Sequence, residues 1–375
     1  MPGLRLARLA LIAAVFEVAR PAAFASPLIA RFECARCHDG VGRTPPPEKR
    51  CVACHRDVIA GRFRAAPAAL ARWRSQLVSL RVAPSLAGVD RRLRADWVEA
   101  FLLAPEDVRP GLPATMPRFT LDEAEAEAIA RALVPREAPP AQFSDEEARR
   151  GETLYRRLDC GRCHRFRGAA VDRPVAVATD EMALAPDLAV TRRRFQSGAL
   201  AGFLLEPPPT MPRFRLRAEE ANALAAFVMT TPLASPAPSQ PPARLPPLAR
   251  PVGWDEVATR VFRRVCWHCH AQPDYARGDG GVGMTGGFGF APRGLDLSSY
   301  GGANSGSLDD QGHRRSVFAR LPDGTPRLLA HILARQAEEA GRPVPGIRGM
   351  PLGLPALTPE EIQLVESWIL QGRPR

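Results

Sequence analysis

Lysine is almost absent from this chain: of its 51 basic residues only Lys49 is not arginine. Aromatic residues make up only 6% of 375 residues, so small domains built from this sequence lack the ring bulk that usually fills a core. After the N-terminus there is no run of about eighteen uncharged apolar residues, which excludes a polytopic membrane protein. No proton-transfer pair, nucleophile triad or substrate-metal motif stands out. A block of like charge is also missing. The formal net charge is +11, but the arginines are scattered among acids, which fits a compositional bias better than a nucleic-acid surface.

Nor is any cysteine left over. The eight cysteines form four pairs, each followed at once by histidine: Cys34, Cys37 and His38; Cys51, Cys54 and His55; Cys160, Cys163 and His164; Cys266, Cys269 and His270. This CxxCH spacing is the attachment sequence of c-type haem. Two thiols three positions apart on one turn can each add to a porphyrin vinyl group, and the adjacent imidazole is then held beneath the ring to ligate iron. Four covalent haems are expected, with the eight cysteines as attachment points and the four histidines as iron ligands. Zinc is an alternative for the first two pairs alone, because the gap from Cys37 to Cys51 is similar to zinc-ribbon spacing. It leaves His38 and His55 at equivalent places unexplained. Redox CxxC pairs or short-loop disulfides need no histidine after each pair.

The chain also repeats itself. Phe101-Leu-Leu-Ala-Pro105 followed by Thr115-Met-Pro-Arg-Phe119 and an acidic, alanine-rich helix to Val134 returns as Phe203-Leu-Leu-Glu-Pro207, Thr210-Met-Pro-Arg-Phe214 and a helix from Arg217 to Met229. A Met-Pro downstream of a haem pentad suggests a thioether on the open face of the iron, and a His/Met pair suits electron transfer. Ser144 with Glu147 reads as a capping box for a helix running through Gly151 and Tyr155 into Cys160. With Ala185-Pro-Asp-Leu188 and Phe227 in the last helix, residues 144–231 resemble a class I cytochrome c domain, a mainly α fold. The resemblance implies His164 and Met211 as axial ligands.

Residues 49–137 resemble the same family through Pro84-Ser-Leu86, Trp97 and Met116, although Pro45-Pro-Pro47 forbids a helix before Cys51. Met116 is paired in this reading with His55 in preference to His38. That leaves residues 26–48 as an extra haem segment without an obvious distal ligand. Residues 232–251 are proline-rich and read as a stiff extended linker. Beyond it, residues 252–375 resemble a Planctomycete-type cytochrome c domain: a helix from Asp255 to Val265, Gly294-Leu-Asp-Leu-Ser-Ser-Tyr300, Gly349-Met-Pro-Leu352 and a terminal helix begun by Thr358-Pro-Glu-Glu361. This implies His270 with Met350.

Other features are discounted. Gly283 to Phe290 reads as a structural loop, His268 points away from iron, His313 and His331 are surface or packing residues, and Met182, Met229 and Met284 are core residues. Arg5 and Arg8 before an apolar stretch, then Ala23-Phe-Ala25 before Ser26, read as a leader cleaved near Ala25. The expectation is a periplasmic tetrahaem cytochrome of tandem α-helical domains, relaying single electrons between redox proteins or into a respiratory complex, with membrane association permitted but not required. The alternative is a haem enzyme or an electron-accepting subunit of a dehydrogenase or reductase, in which the His38 haem keeps an open position. Without residues 1–25 the charge falls to about +9, and about eight propionates would bring it close to neutral. The arginine excess is then available for propionates and for acidic redox partners.

Overall fold

A computed structural model describes residues 26–46, 49–77, 82–112, 116, 119, 121–234, 238–267, 269–270, 294–309, 311–352 and 354–375. The expected leader, His268, Met284 and the loop from Gly283 to Phe290 lie outside the described residues. The fold is mainly α. The short helix α1 (Pro27–Arg31) leads into a 3-10 turn, and then come α2 (Cys51–Ile59), α3 (Pro67–Gln76), α4 (Ala95–Leu103) and α5 (Glu123–Leu133). The second set is α6 (Asp145–Arg157), α7 (Asp180–Ala183), α8 (Thr191–Arg194), α9 (Leu200–Leu205) and α10 (Ala218–Thr230). The third is α11 (Trp254–Val257), which runs on as a π-helix to Cys266, then α12 (Tyr300–Ser305), the two-residue strands β1 (Ser307–Leu308) and β2 (Arg314–Arg315), α13 (Arg327–Glu339) and α14 (Pro359–Leu370). Among the described residues no helix is long and apolar enough to cross a membrane.

Capping residues set where the long helices start. Ser144 and Glu147 close a reciprocal box on α6, Asp122 and Glu125 do so on α5, and Thr358 and Glu361 on α14. The helices then bury their apolar stripes in separate clusters. Leu154 and Tyr155 of α6 meet Phe227 of α10 and Phe166, with Tyr155 and Phe227 ring centroids 5.3 Å apart. The third cluster is built round Trp368, Phe262 and Trp254.

Residues 26–42 pack against the helices of the first set. Ile29 and Phe32 are buried against Ile129 and Leu133 of α5, and Arg31 pairs with Glu125. This gives α1 the place beside α5 that α6 has beside α10. The alignment of the two repeats then becomes simple. Cys34 and Cys160 are 126 positions apart, whereas Pro84 and Pro186 are 102 apart, so the first repeat carries 24 more residues between its histidine and its proline loop. Helices α2 and α3, with Cys51 to His55, occupy that longer loop.

The end of the proline-rich stretch is tied to the last helix. Arg244 pairs with Glu366, Leu248 N–H donates to Ser367 Oγ at 2.8 Å, Val252 N–H donates to Gln371 Oε1 at 2.9 Å, and Gln363 donates to the Pro246 carbonyl at 2.6 Å. Proline cannot pair its own nitrogen, so the side chains of α14 supply the bonds that hold the strap.

The closest helix contact is the α6–α10 crossing. A Cβ on Gly151 would stand 1.9 Å from the Ala223 carbonyl oxygen, whereas one on Gly202 meets nothing within 4 Å. Gly151→Ala is expected to cost about 3 kcal/mol or more in a thermal melt. Gly202→Ala, inside α9, is expected to stabilise by about 0.5–1 kcal/mol. Equal melting temperatures for the two variants would show that the crossing is not the constraint.

Candidate haem sites

Three of the four pentads adopt one turn. Cys37, Cys163 and Cys269 N–H groups donate to the carbonyl three residues back at 3.2 Å, and His38, His164 and His270 N–H groups donate to the first cysteine's carbonyl at 3.0, 3.0 and 2.9 Å. In the first two of these the residue before the turn is left-handed, Glu33 at φ 49° and Asp159 at φ 55°. This bends the chain sharply out of α1 and α6, and Cys34 and Cys160 pack against the hydrophobic clusters of their own sets. The pentad from Cys51 to His55 differs, because it lies within the α-helix α2. It nevertheless meets the first: Cys37 and Cys51 are joined by a side-chain hydrogen bond.

The proline loops orient the imidazoles. His38 Nδ1–H donates to the Pro84 carbonyl at 2.8 Å, and His164 Nδ1–H donates to the Pro186 carbonyl at 2.9 Å. The loop is tied back in each case, by Leu86 N–H to Asp39 O at 2.8 Å and by Leu188 N–H to Arg165 O at 2.9 Å. Fixing the proton on Nδ1 leaves Nε2 with its lone pair, the arrangement a metal ligand needs. Burial pushes both imidazoles below the ordinary histidine range. In the third site Leu297 N–H donates to His270 O at 2.7 Å, but His270 Nδ1 is buried with no hydrogen-bond partner among the described residues, and burial pushes its pKa down to about 4.

The methionines are placed unequally. Met116 packs against the same cluster as Cys34, Ile29 and Phe32. The reason is the position of α1, which brings Cys34 into the α4–α5 core. Met211 N–H donates to Pro208 O at 2.9 Å and its side chain is half-buried. Met350 N–H donates to His331 O at 2.8 Å, and His331 Nδ1–H donates to Arg348 O at 2.7 Å. His331 thus pins the methionine loop of the third set, while His313 sits exposed beside Asp309.

Thiol chemistry weighs against the other uses of CxxC. Burial pushes Cys34, Cys54 and Cys160 up to about 11 and Cys266 and Cys269 up to about 12, so these thiols stay protonated and are poor nucleophiles at neutral pH. Among the described residues no group of three or more Cys, His, Asp or Glu is arranged to hold a metal ion.

Residues 148–232 match the family model described as Cytochrome c. The chain contains a cytochrome c domain. No curated protein and no solved structure matches the chain. A cytochrome c domain implies covalent haem c and a haem-based electron-transfer role, and the residues present fit that group. The thiols of Cys160 and Cys163 lie on one turn, His164 is held with Nε2 available, and Tyr155 Oη is buried without a hydrogen-bond partner among the described residues.

Several supporting residues escaped the sequence reading. Asp187 is fully buried and accepts from Arg167 N at 3.2 Å, Ala189 N at 2.9 Å and the Arg167 guanidinium, which holds the Pro186 loop in place. Arg165 donates twice to Asp172, at 2.9 and 2.7 Å, and Phe166 N–H adds a third bond at 2.9 Å. The Arg165 bonds hold the Asp172 carboxyl below its ordinary range. Because the folded pKa is the lower one, this pair stabilises the loop above the ordinary carboxylate range and is lost as pH falls through the lowered value. Wild-type protein should therefore lose stability on acidification more steeply than Asp172→Asn, as read by acid titration of the melting temperature; parallel curves would rule out this pair as the cause.

Proposed function

We propose that this protein is a periplasmic tetrahaem c-type cytochrome that passes single electrons between redox proteins. Haem attaches in this reading through Cys34 and Cys37, Cys51 and Cys54, Cys160 and Cys163, and Cys266 and Cys269, with His38, His55, His164 and His270 as proximal ligands. The observation that carries it is the shared turn: the His38 pentad reproduces the geometry of the His164 pentad down to the bond from Nδ1 to the proline carbonyl. The haem supplies a one-electron couple at its iron; the chain supplies ligation, burial and the docking face.

Met116 is assigned to the His38 haem, Met211 to that of His164 and Met350 to that of His270. An open position at His38 was the motive for an enzymatic reading. Met116 in the same cluster as Cys34 removes that motive. The exposed arginines, many of them already paired on the surface with acids such as Glu152 and Glu127, offer faces for acidic redox proteins rather than for nucleic acid.

Intact mass of the exported protein should show four haems on a chain beginning at Ser26; any other haem count defeats the tetrahaem reading, and any other start defeats the cleavage site. The methionine assignment is checked in a background with Cys51 and Cys54 both changed to alanine. There Met116→Ala should lower the reduction potential of one centre and weaken its low-spin spectrum, because a His/Met pair raises the potential. An unchanged titration in that background would return Met116 to His55.

A further inference from the structure

Helix α13 carries His331, Arg335, Glu338 and Glu339 at the spacing of successive turns, so they lie along one face. Leu329 and Ile332 of the same helix are buried in the core round Trp368, which makes α13 a fixed support. Its polar side chains hold the loop around Met350. His331 Nδ1–H donates to Arg348 O at 2.7 Å, and the His331 carbonyl accepts Met350 N–H at 2.8 Å. Glu338 Oε1 accepts Gly349 N–H at 2.7 Å, and Arg335 Nε–H donates to Leu354 O at 3.0 Å. Further on, Glu339 Oε1 accepts Ala356 N–H at 2.8 Å and the Gln336 amide donates to Leu357 O at 2.9 Å.

The bonds thus fall on both sides of the methionine. Arg335 and Glu338 also pair with each other at 3.1 Å, each side chain only 14% exposed. One shielded ion pair therefore grips Gly349 before Met350 and Leu354 after it. A Cβ on Gly349 would stand 2.7 Å from Arg335 Cα, so the loop backbone lies directly on the helix. The loop around Met211 is built otherwise. Pro207, Pro208, Pro209 and Pro212 offer no N–H, and Met211 N–H turns back to Pro208 O at 2.9 Å. Among the described residues, positions 207–216 make no hydrogen bond outside that loop, whose far end is held by packing of Leu216 on the second cluster.

We infer that His331, Arg335 and Glu338 are positioning residues for Met350: they lock its loop to α13, so that the His270 haem keeps its methionine against an added ligand that displaces Met211 from the His164 haem. This rests on the haem reading above. An incoming ligand binds only when the methionine loop has left the iron, and its apparent affinity falls with the population of that open state. Each bond to α13 lowers the population, because opening leaves its groups, two of them charged, without their partners. Two haems with the same kinds of axial ligand then differ in exchange. The third stays closed as a relay, whereas the second opens.

The probe is imidazole, titrated into the ferric full-length holoprotein and followed by NMR, where each iron-bound methionine gives its own resonances. Met350→Ala assigns the signals of the third centre. Wild-type protein should lose the Met211 resonances at an imidazole concentration about tenfold or more below that needed for Met350. Glu338→Ala should bring the two concentrations together, and Glu338→Gln, which keeps an oxygen for Gly349 N–H, should recover much of the difference. Equal displacement in the wild type, or a difference that Glu338→Ala leaves unchanged, overturns the lock. Should Glu338→Ala not accumulate, His331→Ala takes its place with the same expectation, and without either variant the wild-type comparison decides. Failure of the haem reading looks different: no Met350 resonance before imidazole is added, or no haem mass at Cys266 and Cys269.

Discussion

Two helices can cross only as closely as the residue at their contact permits, and in this protein that residue is Gly151. With no side chain there, α6 lies against the backbone of α10 at Ala223, and Tyr155, Phe166 and Phe227 close in around the crossing. The position of the Cys160 turn follows from it, because the turn begins two residues after α6 ends, at Asp159. The His164 ring then meets the Pro186 carbonyl, and the Asp187 side chain fixes that loop. A single close approach of backbone to backbone thus sets the height and tilt of the imidazole.

The sequence was most informative where chemistry forces a local pattern. CxxCH is read directly because two thiols and an imidazole must share one turn, and the capping boxes at Ser144 and Thr358 start helices where expected. The cytochrome c match over residues 148–232 falls on the stretch with the fullest set of such local signals. The first repeat is harder to read because its pattern is split. A proline-rich approach to Cys51 and a plausible distance to Met116 pointed to His55, while α1, only five residues long, offered little periodicity. What shows α1 to be the counterpart of α6 is burial of Ile29 and Phe32 against α5, roughly a hundred residues away in sequence, and no local pattern reports that.

Charge is distributed on two scales. At the surface, arginines meet acids in pairs such as Arg156 with Glu152, which are exposed and worth little in stability. Arg194 differs, because it is 7% exposed and the nearby Glu106 is paired with Arg193. An arginine-rich composition that says little about partners becomes specific once burial sorts its members.

The longer loop of the first repeat is closed at its base by the bond from Leu86 N–H to Asp39 O. Lengthening a loop whose ends are already pinned costs little entropy, about 0.6 kcal/mol for each doubling. The pentad on α2 therefore needs no core of its own. In this chain the number of CxxCH sequences is uncoupled from the number of folded cores, so under the proposed function capacity for redox centres grows by loop insertion as well as by domain duplication.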